Sequence, residues 1–189
     1  NIAFGLRIKN LPEEEIRKSV GDMLDLSKID NDGVQPQKTR MSLTAAVRNV
    51  LSRYSALIAH EGYVINFAAD AETFVLADEI MITQVLYNLI NNAVNYTGDN
   101  KTVIIRQHVA NGKVRVSIAD SGEGIAPEHI PHIWDRYYKL DKVHRRATVG
   151  SGLGLSIVKK VLIRHGASFG VESKLGAGSV FWFELDTVE

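Results

Sequence analysis

Gln84-Val85-Leu86-Tyr87-Asn88-Leu89-Ile90-Asn91-Asn92-Ala93-Val94-Asn95-Tyr96-Thr97 is the stretch whose periodicity decides the fold. Val85, Leu86, Leu89, Ile90 and Ala93 recur at three- and four-residue steps, the period of an α-helix with a core-facing stripe. Asn88, Asn92 and Asn95 fall at i, i+4 and i+7, so their amides share another face of the same helix. Asparagine is a mediocre helix former, and a row of three on one stripe needs a cause beyond propensity. Asp78 can cap this helix, which should run to about Asn95. On its N-terminal side, Tyr63-Val64-Ile65-Asn66-Phe67 and Phe74-Val75-Leu76-Ala77 read as strands from their β-branched and aromatic content. On its C-terminal side, Thr102 to Val109 and Lys113 to Ala119 alternate around Ala110-Asn111-Gly112, a hairpin signal.

Further out, Thr39 to Leu43 reads as an edge strand, and Ala46, Val47, Val50, Leu51, Tyr54, Leu57 and Ile58 as one amphipathic helix. Gly152 to His165 regains helical spacing, and Ser168 to Ser173 and Ser179 to Leu185 close the chain as strands. The expected fold is therefore α/β, a two-layer sandwich with a mixed, mostly antiparallel sheet covered by helices on one face. A helical segment should precede it. Leu11-Pro12-Glu13-Glu14-Glu15 starts that segment, with Pro in the first turn and acids at the positive end of the dipole, and Asn31-Asp32-Gly33 stops it. Residues 1–38 are thus set apart from a domain at 39–189.

Composition narrows the function. Hydrophobic residues make up 45% and charged residues 23% of 189 residues, near globular averages. Lys+Arg and Asp+Glu are equal at 22 each, which disfavours a protein whose main work is neutralising nucleic-acid phosphates. With no cysteine, disulfides, thiolate metal sites and a cysteine nucleophile are excluded, and a reducing cytoplasm is compatible. No apolar run approaches the ~18 residues a spanning helix needs. The opening residues lack the shape of a signal peptide and an initiator Met, so a piece of a longer protein is expected, the cytoplasmic part of a membrane-bound receptor.

Chemistry concentrates in four segments. Along the asparagine stripe, neutral amide oxygens can hold a hard cation such as Mg²⁺ beside phosphate oxygens, the alternative being a solvated polar face. Asp120-Ser121-Gly122-Glu123-Gly124-Ile125 ends a strand: its carboxylate can accept from an exocyclic amine, and its glycines let backbone approach a flat ring. Gly150-Ser151-Gly152-Leu153-Gly154-Leu155 opens a helix and offers N–H donors to an anion. It lacks the Lys-Ser/Thr of a P-loop. Gly176-Ala177-Gly178-Ser179 alone is a hairpin turn.

In order, Asn88/Asn92, Asp120-Ser121-Gly122-Glu123-Gly124, Ile133-Trp134-Asp135-Arg136-Tyr137-Tyr138, Gly150 to Leu155 and Gly176 to Ser179 resemble the N, G1, F, G2 and G3 boxes of sensor histidine kinases, over about residues 39–186. The resemblance implies the Bergerat (GHKL) ATP-binding fold, with ATP and Mg²⁺ between the N-box helix and a lid at roughly 137–150. It implies that Asp120 meets the adenine amino group, with Gly122, Gly124 and Ile125 lining that pocket and Tyr96 packed near the base. Asn92 would ligate Mg²⁺ and Asn88 support the phosphates. Gly150, Gly152, Leu153, Gly154 and Leu155 would fold over the phosphates, Arg136 or Lys139 would supply positive charge, and Tyr138 and Ser179 complete the expected contacts. Lys142, Arg145 and Arg146 are further lid cations. Asn88, Asn92 and Arg136 are the expected catalytic residues. Many members carry Lys where Asn95 stands, so an amide replaces a charge at that phosphate contact.

Asp22 to Asp30 resembles the end of the second dimerisation helix in these kinases. None of the six histidines, His60, His108, His129, His132, His144 and His165, lies in a His-Glu-x-x-x-x-Pro context. The phosphoacceptor is therefore expected outside this chain, on a histidine-bearing dimerisation domain of the same protein, with a response regulator downstream. The full-length protein is expected to be a homodimer and this piece alone a monomer. Related ATPases of the same fold carry a Glu where Asn88 stands, and an amide cannot serve as general base. An anti-sigma serine kinase and a pseudokinase remain as alternatives, the second favoured by Asn95. His129 and His132, at i and i+3, lack an evident third metal ligand.

Overall fold

The computed structural model describes residues 35–138 and 152–189; the helix expected before residue 31, and Lys139, Lys142, His144, Arg145, Arg146 and Gly150, lie outside the described residues. Seven strands, β1 (Thr39–Ser42), β2 (Val64–Ala69), β3 (Phe74–Ala77), β4 (Thr102–Ala110), β5 (Lys113–Asp120), β6 (Ser168–Ser173) and β7 (Ser179–Val188), form one sheet. Its order is β1-β3-β7-β5-β4-β2, with β6 beside the first part of β7. Among these pairs β2 and β4 run parallel and the others antiparallel. The helices are α1 (Leu43–Leu51), α2 (Ser55–Glu61), α3 (Glu79–Tyr96) and α4 (Gly154–His165).

Strand periodicity makes the sheet two-faced. Val103, Ile105, Val114, Val116, Ile118, Phe181, Phe183 and Leu185 are buried, while the intervening Ile104, Arg106 and His108 of β4 are exposed. The buried face meets Ile82, Val85, Leu86, Leu89 and Ile90 of α3 and Ile157, Val158, Val161 and Leu162 of α4 in one core. This is the two-layer sandwich expected from the sequence. No helix among the described residues is long and apolar enough to cross a membrane.

Local chemistry sets the boundaries. Asp78 caps α3 by accepting from the Met81 N–H at 3.1 Å, and Ser42 caps α1 by accepting from Ala45 at 3.0 Å. Asn111 (φ 53°) and Gly112 (φ 73°) are both left-handed, the two-residue geometry that matches the twist of an antiparallel hairpin. The single helix expected across residues 46–58 is instead α1, a 3₁₀ turn at Ser52–Tyr54 and α2. There the Ser52 hydroxyl donates to the Asn49 carbonyl at 2.7 Å, a local bond that competes with helix continuation. β7 runs past the expected end at Leu185 because Thr187 and Val188 pair with Val75 and Phe74 of β3.

Candidate functional site

Asp120 is the last residue of β5. The Gly122 N–H donates to its Oδ1 at 2.8 Å. Desolvation raises the Asp120 carboxyl above the usual range, opposed by the backbone N–H groups of Gly122, Ser179 and Asp120 itself. Three glycines make room for this turn. A Cβ on Gly122 would lie 1.9 Å from the Tyr96 carbonyl oxygen, and one on Gly178 would lie 2.1 Å from that of Asp120. Gly124, at φ +73°, passes the Lys174 carbonyl just as closely. The chain after Gly124 is also tied down: Ile125 donates its N–H to Ser173 Oγ at 2.8 Å, and Gly176 donates to the Glu123 carbonyl at 2.7 Å. Ser173 Oγ also lies 2.9 Å from Ser179 Oγ. The turn at 176–179, unremarkable in isolation, is thus one wall of the Asp120 turn.

The second end is built on α3. Asn88 is only 5% exposed, and Asn92 and Asn95 are half-buried, which rules out a freely solvated asparagine face. α4 begins against Asn88, since a Cβ on Gly154 would sit 3.6 Å from the Asn88 amide carbon. No side chain among the described residues caps α4 at Leu153. Among the described residues the Nδ2 of Asn88 is buried without a hydrogen-bond partner, an expensive state for an amide that a ligand oxygen would relieve. The far ends of α3 and α4 are fixed by His165. Its Nδ1–H donates to the Val161 carbonyl at 2.8 Å and its Nε2 accepts from the Asp78 N–H at 3.1 Å. Burial lowers its pKa and favours this neutral tautomer.

The two ends share α3. Tyr96, whose carbonyl touches Gly122, lies one turn beyond Asn92 and two beyond Asn88, about 12 Å at 1.5 Å per residue. Tyr96 is 46% exposed, and desolvation still raises its phenol. Leu153 and Ile125 are buried and Leu155 half-buried. Arg136 is exposed and Tyr138 half-buried, and Tyr138 OH lies 2.7 Å from His129 Nδ1. The segment carrying them is anchored by Trp134, edge-on to Phe169 and Phe181 at 5.1 and 5.9 Å. It reaches α4 through the Tyr137 N–H, which donates to the Gly152 carbonyl at 2.9 Å. His132 pairs with Asp135, and no group of three His, Cys, Asp or Glu suited to a metal occurs among the described residues. Ser173 shapes the site but escaped sequence reading, and Thr97 and Ser121, which stand inside the recognised motifs, were given no role there, because small hydroxyls in turns carry no spacing signal.

Residues 77–189 match the family described as histidine kinase-, DNA gyrase B- and HSP90-like ATPase. The sensor histidine kinase CusS of Escherichia coli is 36% identical over 165 residues, covering 87% of this chain and 34% of that protein, so the chain spans about a third of the relative's length. Full-length ShkA solved with AMPPNP is 29% identical, with a TM-score of 0.76 over 90% of this chain and 35% of that one. ThkA solved with the response regulator TrrA is 26% identical, with a TM-score of 0.76 over 98% and 56%. An asparagine-striped helix, a carboxylate at a strand end and a glycine-led helix occur here in one fold with these likenesses, and the chain belongs to the histidine kinase-, DNA gyrase B- and HSP90-like ATPase family, as the catalytic ATP-binding domain of a sensor histidine kinase.

Proposed function

We propose that the chain binds ATP·Mg²⁺ along α3 and transfers the γ-phosphoryl group to a histidine of the same protein outside this chain, for relay to a response-regulator aspartate. The observation that carries this reading is the juxtaposition on one helix of a buried Asn88 Nδ2 that has no partner among the described residues and, two turns on, the backbone contact that seats the Asp120 turn. The AMPPNP held by ShkA and the regulator held by ThkA support the ligand and the partner.

In this reading Asp120 accepts from the adenine amino group, and Gly122, Gly124, Ile125 and Ser179 shape the base pocket with Tyr96 beside it. Asn88 donates to a phosphate oxygen, and Asn95 extends the polar stripe. Asn92 offers a neutral amide oxygen for Mg²⁺, which commonly takes one or two protein oxygens and completes its shell with phosphates and water. Bound there, the cation would neutralise charge on the phosphates. The start of α4, with Gly152, Leu153, Gly154 and Leu155, presents N–H groups to the same anion, and Arg136, Tyr138, Lys139 and Gly150 contribute from the lid side. Because Asn88 cannot take a proton from water, hydrolysis is not promoted, and the phosphoryl group is kept for the histidine. Catalysis then rests on positioning and charge neutralisation. Residues 1–38 would belong to the dimerisation hairpin of a homodimer, and dependence on ATP supports a cytoplasmic location for this part.

Calorimetric titration with AMPPNP, with and without Mg²⁺, tests the reading. Tight binding that weakens without Mg²⁺, and loses its Mg²⁺ dependence in Asn92→Ala, is expected. Titration heats indistinguishable from dilution in the folded wild type would overturn it. Binding without phosphoryl transfer to the histidine-bearing hairpin would instead favour a pseudokinase, the outcome that the amide at Asn95 allows.

A further inference from the structure

A second network of hydroxyls joins the end of α3 to the Asp120 turn. Thr97, 6% exposed, closes the helix: its N–H donates to the Ala93 carbonyl and its Oγ1 donates to the Thr102 carbonyl at 2.8 Å, where β4 begins. The same Oγ1 lies 3.0 Å from Ser121 Oγ. Ser121 in turn bonds Asn100 Oδ1, which also accepts from the Thr102 N–H at 3.1 Å. Backbone follows side chain here, since a Cβ on Gly98 would lie 2.7 Å from the Ser121 carbonyl oxygen.

Two hydroxyl protons serve three oxygen contacts in this cluster, because each hydroxyl has a single proton to donate. With Thr97 Oγ1 donating to the Thr102 carbonyl and Ser121 Oγ donating to Asn100 Oδ1, the 3.0 Å contact between the two hydroxyls is made by whichever of them shares its proton. Nothing in the fold is left orphaned if Ser121 loses its hydroxyl: Thr97 keeps Thr102, and Asn100 keeps the Thr102 N–H. A group that the core can spare, placed one residue from the carboxylate and joined to the helix bearing Asn88 and Asn92, suits alignment of the site better than support of the fold.

We infer that Thr97 and Ser121 are positioning residues that hold the Asp120 carboxylate in register with α3, so that base selection and phosphate binding are aligned by one hydroxyl bridge; the inference rests on the ATP-binding reading above. Its signature is loss of base discrimination, because a carboxylate that drifts loses its bond to the exocyclic amine while the phosphate end is unmoved.

The test compares AMPPNP with inosine triphosphate, which has a carbonyl in place of the amino group, in the wild type, Ser121→Ala, Thr97→Val and Thr97→Ser. Ser121→Ala and Thr97→Val should weaken AMPPNP by about three- to tenfold, the scale of one lost hydrogen bond. Inosine triphosphate should bind as before and Thr97→Ser should behave as wild type. Since Thr97→Val also removes the bond to the Thr102 carbonyl at the buried helix end, Ser121→Ala with an unchanged thermal unfolding midpoint decides the matter. Equal weakening of both nucleotides, or an unaltered ratio, would overturn the inference while leaving ATP binding intact; a wild type that binds neither nucleotide would overturn both readings.

Discussion

The Asp120 turn and the asparagine stripe of α3 are built on opposite principles. Around Asp120 the backbone is packed against itself: Tyr96, Lys174 and Asp120 carbonyls all lie where a side chain on Gly122, Gly124 or Gly178 would have to go, and the carboxylate is held by backbone N–H groups. Around Asn88 the contact with Gly154 is ordinary van der Waals distance, and a buried donor is left without a partner among the described residues. In the proposed ATP-binding reading, one end is completed by the chain and the other by what it binds. A flat base needs a rigid, shaped wall, whereas a polyphosphate needs unspent donors and room to settle.

Gly122→Ala sharpens this contrast most. With 1.9 Å between the new Cβ and a backbone oxygen the turn must shift, at a cost of about 3 kcal/mol or more. Thermal unfolding should show a much lower midpoint, and AMPPNP binding should be lost.

Next in size is the carboxylate. Asp120→Asn should weaken AMPPNP by roughly ten- to a hundredfold, the range for a hydrogen bond to a charged group. Its effect on stability has the other sign. Burial raises the folded pKa of Asp120 above its unfolded value, so the folded state binds the extra proton, and this group's contribution is favourable at acid pH and is lost as pH rises through the folded pKa. At neutral pH Asp120→Asn should therefore unfold at no lower temperature than wild type, with its advantage shrinking toward acid pH. A variant less stable at pH 7 would show that the carboxylate supports the turn.

Asn88→Leu separates function from fold at the other end. Removing the partnerless amide should raise stability by about 1 kcal/mol, measured by urea unfolding, while AMPPNP affinity falls. A loss of stability would mean that the amide is already satisfied within the protein. Gly154→Ala should have the smallest effect on the fold: the Cβ fits, alanine gains up to about 1 kcal/mol of helix propensity, and the unfolding midpoint should hold or rise slightly. If it instead falls as far as in Gly122→Ala, the two ends are equally rigid and the contrast collapses.

Much of this was legible in the chain. Helical period gave α3 and α4, alternation gave the β4–β5 hairpin around Asn111-Gly112, and the cap at Asp78 was correctly expected, since each depends on neighbours within a few residues. The break at Ser52–Tyr54 was not, because it depends on one hydroxyl choosing a nearby carbonyl over solvent.

The sequence by itself determined which groups are candidates for touching a nucleotide: the amide stripe, the carboxylate ending a strand and the glycines before a helix are covalent and periodic facts. Tertiary structure alone decided how they meet. It brought the 176–179 turn under Asp120, set Gly154 upon Asn88, and recruited Ser173, Thr97 and Ser121 as ties. Those contacts join residues tens of positions apart, and they depend on sheet order and helix docking, which no local period encodes.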